Sequence, residues 1–238
     1  MESERLTRKK RIDPLLKNLG WSIVSFDPDK PLAELQNCAI EEFPTTNGPA
    51  DYALCINGKI VGVVEAKKLT LGPQNVLTQA ERYSRGLNNT HFHFHGYYVP
   101  FLYSTNGEVV WFHDVRHERS RSRQIVRLHT PAALTELLER DFDAACDWFT
   151  THPNNHYRLR PYQIEANNAI EEAIADRKRK MLVAMATGTG KTFALVNQVY
   201  RLMKSGFGQR VLFLVDRRAL AAQAVRTFAS FEPRRLTL

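Results

Sequence analysis

Charged residues stand in this sequence where apolar strands should have none. In the run VGVVEAKK, Glu65 and Lys67 follow four residues that read as a buried strand, and Asp51 opens a second apolar run, DYALCI. Unpaired charge is expensive to bury, so these side chains need partners. Residues two apart in a strand share a face, which points Glu65 and Lys67 the same way. Two carboxylates converging from adjacent strands could hold Mg²⁺ through oxygen, leaving water and a phosphate to complete the octahedron. A lysine beside them could stabilise developing negative charge or orient an attacking water. By spacing alone the pattern also fits a solvated strand face, where Glu-x-Lys is common.

A second group of residues suits phosphate binding. After the apolar run MLVAMA come Thr187, Gly188, Thr189, Gly190, Lys191 and Thr192, at a junction that reads as strand to helix. Glycines let backbone N–H groups wrap a polyphosphate, and a helix N-terminus adds favourable partial charge. Lys191 would reach the β- and γ-phosphates of ATP, and Thr192 would ligate its Mg²⁺. The strict pattern GxxxxGK[ST] has glycine where this chain has Met185.

The elements that must position these residues follow from periodicity. Residues 5–20 carry Leu6, Ile12, Leu15, Leu16 and Leu19 at near-helical spacing and stop at Gly20. From about residue 50 to 113 the chain reads as strands plus one helix, with Asn57-Gly58 between two β-rich runs as a hairpin signal. A two-residue loop there pairs Ile56 with Lys59 and so Asp51 with Val64, putting Asp51 and Glu65 on opposite faces. Convergence needs a one-residue bulge, expected between 51 and 56 or between 60 and 64. A helix is expected near 73–87. In HFHFH, at 91–95, a strand would put His91, His93 and His95 on one face; their spacing of about 7 Å is wide for zinc, which favours a half-buried strand over a metal site.

Residues 131–150 suit a helix closing the first region, and the polar, proline-bearing 151–159 suits a linker. Beyond it, helix 162–175, strand 181–186, helix 191–204, strand 211–216 and helix 219–230 alternate as a parallel sheet would require. The expected fold is therefore α/β: a mixed sheet flanked by helices over 1–150, then an incomplete parallel α/β domain over 160–238.

Composition agrees with cytoplasmic work on a polyanion. The 238 residues carry 33 Lys+Arg against 25 Asp+Glu, with the excess clustered at 8–11, 116–127, 177–180, 217–218 and 234–235. No run is long and apolar enough to span a membrane, and the charged start MESERLTRKKR is not a secretory signal. Cys38, Cys55 and Cys146 are widely separated and read as reduced packing residues.

The stretch GPADYALCINGKIVGVVEAKK resembles the nuclease core of the PD-(D/E)xK superfamily, although Pro49 precedes Ala50 rather than Asp51. Gln79 and Tyr83 resemble the QxxxY element of its RecB-like and type I restriction members. That resemblance implies metal on Asp51 and Glu65, catalysis by Lys67, and a Gln79/Tyr83 pair organising the site; it also suggests a further carboxylate on the first helix, where Glu4 stands. The phosphate loop resembles that of superfamily 2 helicases, with a RecA-like fold. Arg160, Tyr162 and Gln163 resemble their adenine-recognition element, and VLFLVDRRALAAQA their next motif, which contacts the DNA backbone. The combination resembles the N-terminal part of the restriction (HsdR) subunit of type I restriction-modification enzymes. It implies Mg²⁺ and ATP as cofactors, double-stranded DNA as substrate, and modification and specificity subunits as partners. A complete motor also needs an acidic pair and a second lobe, and neither reads before Leu238, so ATP hydrolysis is expected to require the remainder of a longer chain. Two other readings stay open: a helicase-like DNA repair ATPase with a degenerate nuclease domain, and a truncated, inactive DNA-binding remnant.

Overall fold

The computed structural model describes residues 4–67, 77–88, 90–216 and 218–231. The chain divides into two compact units, Met1–Glu139 and Arg140–Leu238.

The first unit is built on a seven-stranded mixed sheet in chain order. Its strands are β1 (Ser22–Ser25), β2 (Cys38–Phe43), β3 (Ala50–Ile56), β4 (Lys59–Ala66), β5 (Phe101–Thr105), β6 (Val110–Asp114) and β7 (Arg123–Ile125). The β1/β2 and β4/β5 pairs are parallel and the others antiparallel. Both faces are buried, as β3 shows: Tyr52, Leu54 and Ile56 enter one core while Ala53 and Cys55 enter the other. The first core is closed by Ile12 and Leu16 from the N-terminal helical segment and by Leu134 from α4 (Pro131–Glu139). The second core is closed by Ala80 of α3 (Leu77–Arg85).

The N-terminal segment consists of α1 (Glu4–Thr7), a π-helical turn (Arg8–Ile12) and α2 (Asp13–Asn18). It ends at Gly20, which sits at φ +89 as a left-handed stop requires. Part of the helix expected near 73–87 lies outside the described residues. Sequence periodicity overlooked β1, β2 and β7, which are short or carry polar residues.

HFHFH is not a strand. Phe94 and Tyr97 exchange backbone hydrogen bonds of 2.7 and 2.8 Å around His95 and Gly96, both with positive φ. That is a primed two-residue turn. Phe92 and Phe94 stack with each other beside the turn. Strand structure in this stretch begins only at Phe101.

The helix expected over 131–150 is two helices. Asp141 breaks it, its carboxylate accepting the Ala144 N–H at 2.9 Å as the N-cap of α5 (Phe142–Thr151), and α5 lies with the second unit. The second unit further contains α6 (Pro161–Ala175), α7 (Lys191–Lys204) and α8 (Arg218–Ala229). A buried bidentate pair between Arg201 and Glu171, at 2.6 and 2.8 Å, joins α7 to α6, and the same guanidinium lies over the Trp148 ring of α5. Part of the stretch read as a linker is packed: Asn154 accepts a buried bond from Asn197 at 2.8 Å, and the His156 ring meets Phe193 edge-on. Within it Asn154 is buried against α7, whereas Thr151, Pro153, Asn155, Tyr157 and Arg158 are exposed.

Residues 181–186 and 211–216 form no strands, so the expected parallel sheet is absent among the described residues. The two runs do not pair with each other, and extended backbone without a hydrogen-bonded neighbour is not sheet. Their apolar side chains face outward: Leu182 is 95% exposed and Leu212 82%.

Candidate active site

Strand β4 contains the bulge that convergence demanded. Ile56 pairs with Lys59 and Cys55 with Ile60, but Leu54 pairs with Gly62, so Val61 is the extra residue. From there Tyr52 faces Val64, which sets Asp51 beside Glu65. The inserted residue also resets the alternation along β4. Val61 enters the first core and Val63 the second, so Glu65 falls on the α3 face.

Burial then shapes the charges. Glu65 is 3% exposed and Lys67 7%. Lys67 Nζ donates to Glu65 Oε1 at 2.8 Å, whereas Glu65 Oε2 is buried and accepts no hydrogen bond. Desolvation first, and then the charge of Asp51, push the Glu65 carboxyl up to about 7. Asp51 Oδ2 accepts the Ala66 N–H at 2.7 Å and Oδ1 accepts from Arg8 Nη1 at 3.0 Å. Burial raises its pKa, while those two donors work in the opposite direction.

Tyr83 also belongs to this neighbourhood. Burial and the charges of Glu65 and Asp51 raise its pKa. The loop preceding Asp51 docks on the C-terminal end of α3 through Thr46 N–H to Gly86 O (2.8 Å) and Asn47 Nδ2 to Arg82 O (2.7 Å). Gln79 lies one turn before Tyr83, on the same helix side but exposed. The side chain of Glu4 lies outside the described residues.

The donor set suits Mg²⁺. Among the described residues no cluster of three or more His, Cys, Asp or Glu forms a closed metal cage. Mg²⁺ keeps several waters and is commonly bound by one or two carboxylates. The unpartnered buried Oε2 of Glu65, next to Asp51, is an oxygen that could serve as such a ligand.

In the second unit, Gly188 and Gly190 have φ of +79 and +76, backbone that side chains resist. Gly190 opens α7, and a Cβ there would lie 2.6 Å from Gln163 Nε2. Gln163 accepts the Arg160 N–H through Oε1 at 2.9 Å and donates from Nε2 to Thr189 O at 2.7 Å, tying the start of α6 to the loop. Tyr162 OH donates to the same carbonyl at 3.1 Å, and Arg160 Nη1 donates to Tyr162 OH at 3.1 Å. Lys191 Nζ folds onto the carbonyls of Met185 and Ala186 at 3.0 and 3.2 Å. Thr187 is exposed and Thr192 half-buried at the mouth of the loop. Arg217 lies outside the described residues.

Comparison with known proteins adds the lineage. The family described as "Type I restriction enzyme EcoKI endonuclease subunit second domain" matches residues 28–138, and "Type III restriction enzyme, res subunit" matches residues 156–237. The EcoKI endonuclease subunit of Escherichia coli K12 is 32% identical, over 91% of this chain and 23% of that protein. The chain is a homologue of the type I restriction endonuclease (HsdR) subunit. The EcoAI endonuclease subunit of Escherichia coli is also 32% identical, over 52% of this chain and 17% of its own length. This HsdR homologue thus spans under a quarter of the curated relatives it matches. A solved fragment described as an HsdR subunit of a type I restriction enzyme from Vibrio vulnificus YJ016 shares 24% identity, covering 85% of this chain and 38% of that one, with a TM-score of 0.41.

Three contributors to the site escaped the sequence reading: Arg8, Glu41 and Glu42. Arg8 was counted with the basic cluster at 8–11, yet it is 7% exposed and ion-paired with Glu41, Glu42 and Asp51. Lys9 pairs with Glu41 and Asp13, and Arg11 with Glu108. Much of that cluster is therefore engaged in intramolecular ion pairs. The signal was the adjacent acid pair in CAIEEF, whose charge next to an apolar run demanded a cation.

Proposed function

We propose that this chain is the N-terminal portion of a type I restriction subunit, with a Mg²⁺-dependent DNA phosphodiesterase site on Asp51, Glu65 and Lys67 in its first unit. The observation that carries the reading is the bulge at Val61, which sets Glu65 beside Asp51 with one buried carboxylate oxygen unpartnered. When bound, Mg²⁺ would neutralise phosphate charge and lower the pKa of a coordinated water. Asp51 and Glu65 are the residues that would hold it. Lys67, fixed to Glu65, presents its ammonium to a scissile phosphate or to the attacking water, and its stem excludes solvent from the buried carboxylate. Tyr83 and Gln79 lie on one side of α3, with Tyr83 packed against the core that includes Ala50 and Ala53.

The second unit is the opening part of a RecA-like ATP-binding motor. Thr187, Gly188, Thr189, Gly190, Lys191 and Thr192 take the phosphates and their Mg²⁺, while Arg160, Tyr162 and Gln163 take the base side. In the full-length subunit, ATP-driven translocation of double-stranded DNA and assembly with modification and specificity subunits complete the activity. Phosphate contacts would position DNA without reading its sequence.

The test is nicking of supercoiled plasmid in Mg²⁺ without ATP by the chain and by Asp51→Asn, Glu65→Gln and Lys67→Ala. The expected result is cleavage by the parent and loss of at least a hundredfold in each variant. Cleavage that survives Glu65→Gln would remove the site assignment. An inert parent that still binds DNA would favour the binding remnant.

A further inference from the structure

Arg8 is a buried cation that the chemistry above leaves without a role. Its guanidinium reaches far along the chain: Nη1 donates to Glu42 and, at 3.0 Å, to Asp51 Oδ1, while Nη2 donates to the Asp51 carbonyl at 3.4 Å. Nη2 also lies 3.5 Å from Glu41, and the Tyr52 ring lies 5.0 Å from the guanidinium carbon. Asp51 is consequently held at both carboxylate oxygens, by Arg8 on one and by the Ala66 N–H on the other.

Two irregularities of backbone meet at this guanidinium. Arg8 opens the π-helical turn Arg8–Ile12, and such turns sacrifice helical hydrogen bonds and concentrate at functional sites. Glu42 has φ +53 inside β2, in the left-handed region that non-glycine residues resist. It is skipped by the β2/β3 register, which pairs Glu41 with Tyr52 and then Phe43 with Ala50, so Glu42 and Asp51 are left facing each other. Ordinary helix and strand geometry would not deliver this three-way contact.

We propose that Arg8 is the positioning residue of the Asp51–Glu65 metal site, locking the Asp51 carboxylate toward Glu65 through its planar fork while Glu42 accepts from the same Nη1 and holds the guanidinium in place. The inference rests on the nuclease reading above. Arg8 touches neither metal nor DNA; it acts through Asp51. Hydrogen-bond partners of metal-ligating groups commonly change metal affinity by about 10- to 100-fold when removed. Lysine would keep the charge and lose the fork, so it should restore the site only in part.

The test is Mn²⁺ titration of the whole 238-residue chain, without nucleotide or DNA, followed by electron paramagnetic resonance of the free ion. Parent, Glu65→Gln, Arg8→Met and Arg8→Lys are compared, with thermal melts alongside. The expected result is one Mn²⁺ site in the parent that Glu65→Gln abolishes, Arg8→Met weakens by about 10- to 100-fold, and Arg8→Lys weakens less. Parent-like affinity in both Arg8 variants, with Glu65→Gln still defective, overturns the inference and leaves the nuclease reading intact. If Arg8→Met fails to fold, Arg8→Lys decides: a lower melting temperature with unchanged affinity makes Arg8 structural only. Equal binding by parent and Glu65→Gln removes the metal site itself, and this inference with it.

Discussion

Glu65 concentrates the chemistry of this chain because it is a carboxylate with one oxygen on Lys67 and the other on nothing. Its carboxyl ordinarily titrates at 4.5, and burial, helped by Asp51, moves it to about 7. A raised carboxyl favours the fold when protonated, so its contribution to stability is complete below pH 4.5 and is lost as pH climbs through about 7. A divalent cation prefers the ionised form and must displace the proton. Mg²⁺ affinity is therefore expected to rise about tenfold per pH unit below 7 and to level off above it. Calorimetry in buffers of different ionisation enthalpy would detect the released proton; affinity independent of pH between 6 and 8 would count against Glu65 as ligand.

At the scale of elements, the β3/β4 hairpin does the positioning. Its turn uses Asn57 at φ +47 and Gly58 at φ +77, the primed geometry that keeps twisted strands in register. Gly58 is also wedged against the short 3-10 turn Leu32–Glu34: a Cβ there would lie 2.8 Å from Ala33 Cα, and its N–H donates to Leu35 O at 2.9 Å. Gly58→Ala should cost about 2 kcal/mol from positive φ and backbone clash together. It should also blunt Mg²⁺-dependent cleavage, since the register to Asp51 starts at this turn. Urea denaturation of parent and variant gives the first quantity, and a change below 0.5 kcal/mol would mean that the turn does not constrain the sheet.

At the scale of the whole molecule, each unit has its own internal ties. The second unit depends on the buried Glu171–Arg201 pair, to which Gln198 Nε2 adds a bond to Glu171 Oε1 at 3.1 Å. Glu171→Ala would strand a buried guanidinium and should destabilise that unit by roughly 3–5 kcal/mol. Hydrogen exchange read by mass spectrometry should show α6 and α7 losing protection while β3 and β4 keep theirs. Equal loss in both units would mean that the chain unfolds as one body. No helix among the described residues is long and apolar enough to cross a membrane.

Local order was legible where the signal is short-range. The Asn57-Gly58 hairpin, the glycine loop entering α7, and the candidate residues Asp51, Glu65 and Lys67 all stood in the sequence, because turn chemistry and charge beside apolar strands express themselves within a few residues. Even the bulge was implied, since without it the hairpin register would have split the two carboxylates. Its position at Val61 was not, because several neighbouring residues could absorb an inserted position equally well. The partners of Asp51 were likewise out of reach: Arg8 arrives from 43 residues away and Glu42 from the next strand. The Asn154–Asn197 bond was equally out of reach, its partners lying 43 residues apart, and apolarity misled at 181–186 and 211–216, where a strand-like run lacks a neighbour to complete its hydrogen bonds. Residue type and spacing determined what chemistry this protein could attempt; which charges meet was decided only by tertiary structure, because ion pairing and sheet formation both require a partner that sequence proximity does not supply.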